Sequence, residues 1–265
     1  MKITQFLAKG FKWSIGFVIY HVPLFRSLRR RYMARLYTGE GWLFRSFRAY
    51  VLGHVVYRDL VAFRRDFLAG ATGTNWSDCY YSRGEEYYQE HFRHALKLCS
   101  DALQEDPSSR FMQVGCAGGR ELSILAAGFP LKRFCGVDLS PETIQQDRER
   151  YRSFPNLEFR AADITVREQW TVWHPEIIYS SGCLEYLAGD EVAAFFKAAL
   201  ESGVRELILF EPSDPALRGA SVPRGGGAYA HDYGELLRRA GWEKIQIHPE
   251  TGPGWYRVLI RARCG

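Results

Sequence analysis

Four polar side chains stand where apolar runs give out and could do chemistry: Asp138, Asp163, Glu185 and His231. Asp138 lies 19 residues past Gly119, the end of the glycine-rich stretch Gly115-Cys116-Ala117-Gly118-Gly119. An acidic side chain at that distance beyond a strand, glycine turn and helix can hold a ribose, because one carboxylate accepts hydrogen bonds from two vicinal hydroxyls. The glycines let the backbone turn sharply and approach a ligand. The helix behind them offers unpaired N–H groups to an anionic or polar group. His231 titrates in the range a general base needs, and it follows the glycine-rich 219–227; as a residue near the start of a helix it can equally belong to an N-cap region. Glu185 stands at another helix start and divides the same way between chemistry and structure.

The elements that must position these groups alternate along the chain. Strands are expected at 111–115, 133–138, 157–162, 176–180 and 205–210, with helices at 119–128, 141–153 and 189–202. Helix 231–240 and strands 243–248 and 255–262 close the chain. Such alternation predicts an α/β fold, a doubly wound and mostly parallel seven-stranded sheet, with ligands beyond the carboxyl ends of the strands. The last two strands have no helix between them, so they form a hairpin and the last strand is antiparallel. A long loop is expected over 213–230, a length that in compact domains usually means a lid or binding loop.

With its glycine turn, Asp138, Asp163 and the stretch Ser180-Ser181-Gly182-Cys183-Leu184-Glu185-Tyr186 in this order, the chain resembles the class I S-adenosylmethionine-dependent methyltransferases over roughly residues 85 to 265. The resemblance implies S-adenosyl-L-methionine as cofactor. It places Gly115, Cys116, Ala117 and Gly119 at the turn, and Asp138 with Leu139 at the ribose. Asp163 would accept from the adenine amino group, and Ile164 would pack on the ring. Ser180, Ser181 and Tyr186 would lie in the loop where the methyl group meets its acceptor. The segment before the first strand folds over the site in that family, which makes Tyr80 and Tyr81 candidates to line it, packing aromatics being the other reading. Two positions depart from the pattern: Gln113 stands where the family carries an acid, and Ala117 replaces its middle glycine. The expected function is methyl transfer to oxygen of a small-molecule or lipid-linked, glycan-type acceptor. The alternative is an inactive methyltransferase-like scaffold acting through its basic arm. A nicotinamide enzyme fits poorly, because G-x-G-x-x-G spacing is missing and the chain ends in a hairpin.

The 265 residues, 46% of them hydrophobic, suffice for a large core, and the net charge is +5. Residues 1–70 hold 13 Lys/Arg against three acids, so the charge is concentrated there. Gly70 to Asn75 breaks the pattern, which divides the chain into a basic, aromatic helical extension at 1–75 and the Rossmann-like domain at 76–265. Trp13 to Phe25 is a 13-residue uncharged run, short of the roughly 20 needed to span a bilayer. With Arg26 and Arg29 to Arg31 behind it, the segment 1–35 reads either as an interfacial helix meeting anionic lipid or as a plain cap on the domain. No nucleic-acid module is recognisable, which leaves nucleic acid a minor option. The six cysteines (79, 99, 116, 135, 183, 264) form no C-x-x-C pair and have no zinc-type spacing, so no metal is expected. Their scatter points to a reducing, cytoplasmic setting, with contact at the inner face of a membrane if the arm is interfacial. Cys116 and Cys183 fall in the expected cofactor loops, where small buried residues would also serve.

Overall fold

The computed structural model describes residues 14–28, 41–51, 64, 68–69, 82, 84–106, 109–213, 217, 219–225, 227–252 and 255–265. Tyr80, Tyr81, Arg29 to Arg31 and the boundary at 70–75 lie outside the described residues. A seven-stranded sheet has the order β3-β2-β1-β4-β5-β9-β8. Its strands are β1 (Arg110–Val114), β2 (Arg133–Asp138), β3 (Leu157–Ala161), β4 (Ile177–Ser181), β5 (Glu206–Pro212), β8 (Lys244–Gly252) and β9 (Trp255–Arg263). The first five pair in parallel, and β9 runs antiparallel to both β5 and β8.

Side chains alternate across the sheet, and each face builds its own core. Phe111, Phe134, Phe159, Tyr179, Ile208 and Phe210 face one way. They pack on α3 (Arg93–Glu105), α4 (Arg120–Gly128) and α5 (Pro141–Arg150) through Leu96, Leu103, Leu122, Leu125 and Ile144. Met112, Val114, Val137, Ile178, Leu207 and Leu209 face the other way. There they meet α6 (Arg167–Thr171), α7 (Gly189–Glu201) and α8 (Tyr233–Arg239) through Trp170, Phe196 and Tyr233. Helix starts have local causes. Ser140 caps α5 by accepting from Thr143 N at 3.3 Å, with Pro141 at its first position, and Asp232 caps α8 by accepting from Glu235 N at 3.1 Å.

Before β1 the chain forms two helices, α2 (Glu85–His91) and α3, divided at Phe92, which leaves helical dihedrals at φ −115°, ψ 8°. Several expectations are corrected. Helix α5 ends at Arg150, and residues 151–153 form a turn in which the Tyr151 hydroxyl donates to Gly118 O at 2.8 Å. The expected loop 213–230 contains a hairpin, β6 (Ser221–Gly225) with β7 (Ala228–His231). Pro223 and the glycines read as breakers, but this outlying two-stranded ribbon absorbs them with a register shift between Pro223 and Gly225. His231 is therefore the last residue of a strand, and α8 begins two residues later.

Toward the N-terminus, residues 14–21 are helical and cross α1 (Trp42–Tyr50) where Gly16 lies against Tyr50 and Ser46. Further on, Arg64 is buried and reaches the start of α7. Its Nη1 and Nη2 donate to the two carboxylate oxygens of Glu191 at 2.9 and 2.5 Å, and Nη1 also donates to Tyr186 O at 3.2 Å. Glu191 Oε2 accepts in addition from Ala188 N at the start of α7, at 2.8 Å. Removing one member of such a pair strands the other's charge. In urea unfolding, Arg64→Met lowers stability by about 2 kcal/mol, discounted for the partial exposure of Glu191, and Arg64→Met/Glu191→Met recovers most of that loss.

Candidate active site

The carboxyl ends of β1, β2 and β4 surround two cavities that meet at Gly115, Ala117 and Gly182. The first is apolar except at its rim. Leu139, Ala162, Ile164, Leu187 and Leu68 line it, with Asp138, Asp163, Tyr186 and Arg64 at its polar edge. The second is charged: Arg120, Glu121, Glu185 and Arg257 line it together with Tyr88, Phe92, Cys116, Gly118 and Ser181.

The turn that separates β1 from α4 is built for close approach. Gly115 is left-handed at φ +65°, and a Cβ there would meet the Cβ and Sγ of Cys183 at 2.5 Å. Gly119 is also left-handed at φ +66°, a Cβ there would meet the rings of Tyr151 and Phe159 at 2.8–2.9 Å, and it lines neither cavity. Ala117 holds φ +46° despite its Cβ, and its N–H donates to Asp138 Oδ2 at 3.0 Å. Asp138 Oδ1 accepts from Ser140 N at 3.0 Å. Burial raises the Asp138 carboxyl above the usual carboxylate range, and these backbone donors pull it back.

Asp163 lines the apolar cavity, but its Oδ1 closes a turn, accepting from Thr165 N at 2.9 Å and Thr165 Oγ1 at 2.7 Å. Ile164 is fixed by Trp170 Nε1, which donates to its carbonyl at 3.1 Å. Ser180 lines neither cavity: its hydroxyl donates to Glu211 Oε1 at 2.5 Å. The same oxygen accepts from Cys183 N and Leu184 N at 3.1 and 3.2 Å, so one buried carboxylate at the end of β5 fixes the loop after β4.

Glu185 occupies the charged cavity. Burial pushes it up to about 7, the neighbouring Glu211 adds to the rise, and Arg257 and Arg224 oppose it. Glu121 is also pushed up to about 7 by burial, against hydrogen bonds from Tyr179 and Gln113 and the charge of Arg257. Arg257 is anchored over the Phe210 ring, 4.9 Å from its centre, and Nη1 donates to Phe210 O at 3.4 Å. The thiols of Cys116 and Cys183 are pushed up by burial, so neither is a ready nucleophile.

His231 is not at the site. It is fully buried, lines neither cavity and has Nδ1 engaged with Ser221 Oγ at 2.7 Å. Glu121, which closes the glycine stretch, also lines the charged cavity, a place its position in the sequence could have signalled. Arg64, Leu68 and Arg257 reach the cavities from distant parts of the chain with no local signal.

Residues 112–202 match a family profile described as a methyltransferase domain. Trans-aconitate 2-methyltransferase of Paracidovorax citrulli is 30% identical over 132 residues, 49% of this chain and 48% of the relative. That of Methylobacterium radiotolerans is 31% identical over 114 residues, 43% of this chain and 40% of the relative. The chain thus spans about half the length of the curated relatives it matches. Magnesium protoporphyrin IX methyltransferase from Synechocystis PCC 6803, solved with S-adenosylhomocysteine, superposes with a TM-score of 0.57 at 18% identity, over 77% of this chain and all of that one. These structural likenesses concern the fold.

Burial depresses His231 from its usual 6.5 to about 4, partly offset by the backbone of Leu184 and Leu187. The unfolded chain therefore takes up a proton between those values that the folded chain refuses. The contribution to stability is complete above pH 6.5 and is lost as pH falls toward 4. Between pH 7 and pH 5, urea unfolding should show the wild type losing about 2 kcal/mol more than His231→Asn.

Proposed function

We propose that this chain, whose residues 112–202 form a methyltransferase domain on the class I fold, transfers a methyl group from S-adenosylmethionine to an oxygen of a small organic acid. The observation that carries this reading is the meeting of an apolar, Asp138-tipped cavity and a charged one across a glycine turn that tolerates close approach. When bound, the donor supplies a methyl group activated by a positively charged sulfur. Asp138 holds the ribose hydroxyls, with its carboxylate orientation set by Ala117 N and Ser140 N. Leu139 and Ile164 flank the base, and Asp163 offers it the oxygen that Thr165 does not occupy. Gly115, Cys116, Ala117 and Ser181 form the strip between nucleoside and methyl group, and Tyr186 borders the nucleoside side.

An acid acceptor is supported by Arg257, a guanidinium held beside the loop after β4, and by relatives named for trans-aconitate, a polycarboxylate. A carboxylate oxygen needs no proton removed, so the protein's task is to align two reactants and exclude water. Where the accepting oxygen is a hydroxyl, Glu185 stands in the same cavity to take its proton, with an affinity near neutrality that suits the role.

Calorimetry with S-adenosylhomocysteine tests the donor. Wild type binds it and Asp138→Ala loses at least about 100-fold, the equivalent of two charge-assisted hydrogen bonds. Methyl transfer assayed against a panel of organic acids and neutral sugars tests the acceptor. Arg257→Ala raises KM for the acid roughly 10-fold, or more, and leaves donor binding intact. If the folded wild type binds neither donor nor product, the scaffold reading takes this one's place.

A second, compatible reading concerns the N-terminal arm. Leu24 and Trp42 are 85% and 63% exposed, with Phe17 and Val18 also outward, and Arg26 beside them. An apolar outer face on a segment with 13 Lys/Arg in its first 70 residues supports contact with an anionic bilayer. No helix among the described residues is long and apolar enough to cross a membrane. Sedimentation with phosphatidylserine-containing vesicles should carry down the wild type, while Leu24→Ser/Trp42→Ser stays in the supernatant; equal binding of both sinks this reading.

A further inference from the structure

The charged cavity is matched to a zwitterion. An α-amino acid terminus carries an ammonium and a carboxylate on one carbon, and burying it calls for an anion and a cation side by side. Glu121 and Arg120 are adjacent in sequence, open the helix that follows the glycine turn, and line the cavity together. The first residue after the turn thus offers positive charge and the second negative charge.

Glu121 is not a loose surface acid. The Tyr179 hydroxyl on β4 donates to its Oε2, and the Gln113 side chain on the adjacent β1 helps hold its proton affinity down. Gln113 is buried, lines neither cavity and leaves its own Oε1 without a hydrogen-bond partner among the described residues. A neutral donor from β4 thus holds one carboxylate that lines the cavity, with Gln113 on the neighbouring strand. A buried carboxylate so held still has lone pairs for a cationic ligand. Glu185, the other carboxylate there, is differently engaged. A Cβ at Gly182 would lie 3.5 Å from its Oε1 and 3.7 Å from Arg257 Nη2, so Glu185 and Arg257 face each other across that glycine on the acceptor side.

We propose that Glu121 recognises the ammonium of the donor's amino-acid terminus, with Tyr179 and Gln113 as the residues that position it. The carboxylate missing at position 113 is in this chain supplied eight residues later, and Gln113 has become its support. This rests on the donor assignment made above.

Two ligands separate the two claims. S-adenosylhomocysteine carries the amino-acid terminus; methylthioadenosine has the same nucleoside and thioether without it. In calorimetry, Glu121→Gln should weaken S-adenosylhomocysteine at least 10-fold and leave methylthioadenosine within 2-fold of wild type. Tyr179→Phe, which keeps the carboxylate and removes one support, should give a smaller loss of 2- to 5-fold, again for S-adenosylhomocysteine alone. Unchanged S-adenosylhomocysteine binding by Glu121→Gln overturns the proposal. So does an equal loss of both ligands, which would make Glu121 a residue that only shapes the turn. Failure of the wild type to bind either ligand would instead remove the donor assignment itself, and this one with it.

Discussion

The site depends on one topological constraint, the reversal of strand order at β1. The chain leaves β1 outward to β2 and β3, then returns to the other side of β1 for β4 and β5. The segments after β1 and β4 therefore depart toward opposite faces of the sheet and leave a crevice between them. At Gly115 that crevice narrows until a missing Cβ is all that separates the turn from Cys183. Both cavities are the two ends of this one parting. The apolar end runs toward β2 and β3, and the charged end toward β4, β5 and the antiparallel β9 that carries Arg257.

Within the crevice, carboxylates do two different jobs according to how many donors they meet. Glu211 Oε1 takes three donors from Ser180, Cys183 and Leu184 and acts as a fixed post for the loop. Glu121 and Glu185 meet fewer partners, and burial holds both near neutrality. Three acids and Arg257 share a low-dielectric space, so each feels the others. The proton affinity of Glu185 is raised partly by Glu211, and Arg257 lowers it for both. A cationic or anionic ligand entering that space changes the protonation of its walls as well as contacting them.

Most of the sheet was legible because its signals are local. The ends of β1, β2, β3 and β4 fall within one residue of expectation, since apolar runs of strand length end at glycines, prolines and acids. Asp138 was legible for the same reason, its spacing from the glycine turn being set by one helix and one strand. What was not legible came from two sources. The β6–β7 ribbon is rich in proline and glycine, residues that punctuate a sequence but are tolerated in a peripheral hairpin, and missing it turned His231 from a buried strand residue into a candidate base. Arg64, Glu121 and Arg257 take their roles from partners 58 or more residues away, or from a cavity that exists only when the sheet has closed. Nothing in Tyr256-Arg257-Val258 distinguishes that arginine from the others on the same strand.

The ion pair between Arg64 and Glu191 has a consequence for how the chain is made. The partners are 127 residues apart, and Glu191 belongs to a helix that needs β4 and β5 beneath it. At about 5–20 residues per second, a ribosome delivers Glu191 roughly 6–25 s after Arg64. During that interval the most basic and aromatic part of the nascent chain waits without its anchor. The order of synthesis thus leaves a period in which chaperones or other anionic surfaces compete with the protein's own interior for the same guanidinium.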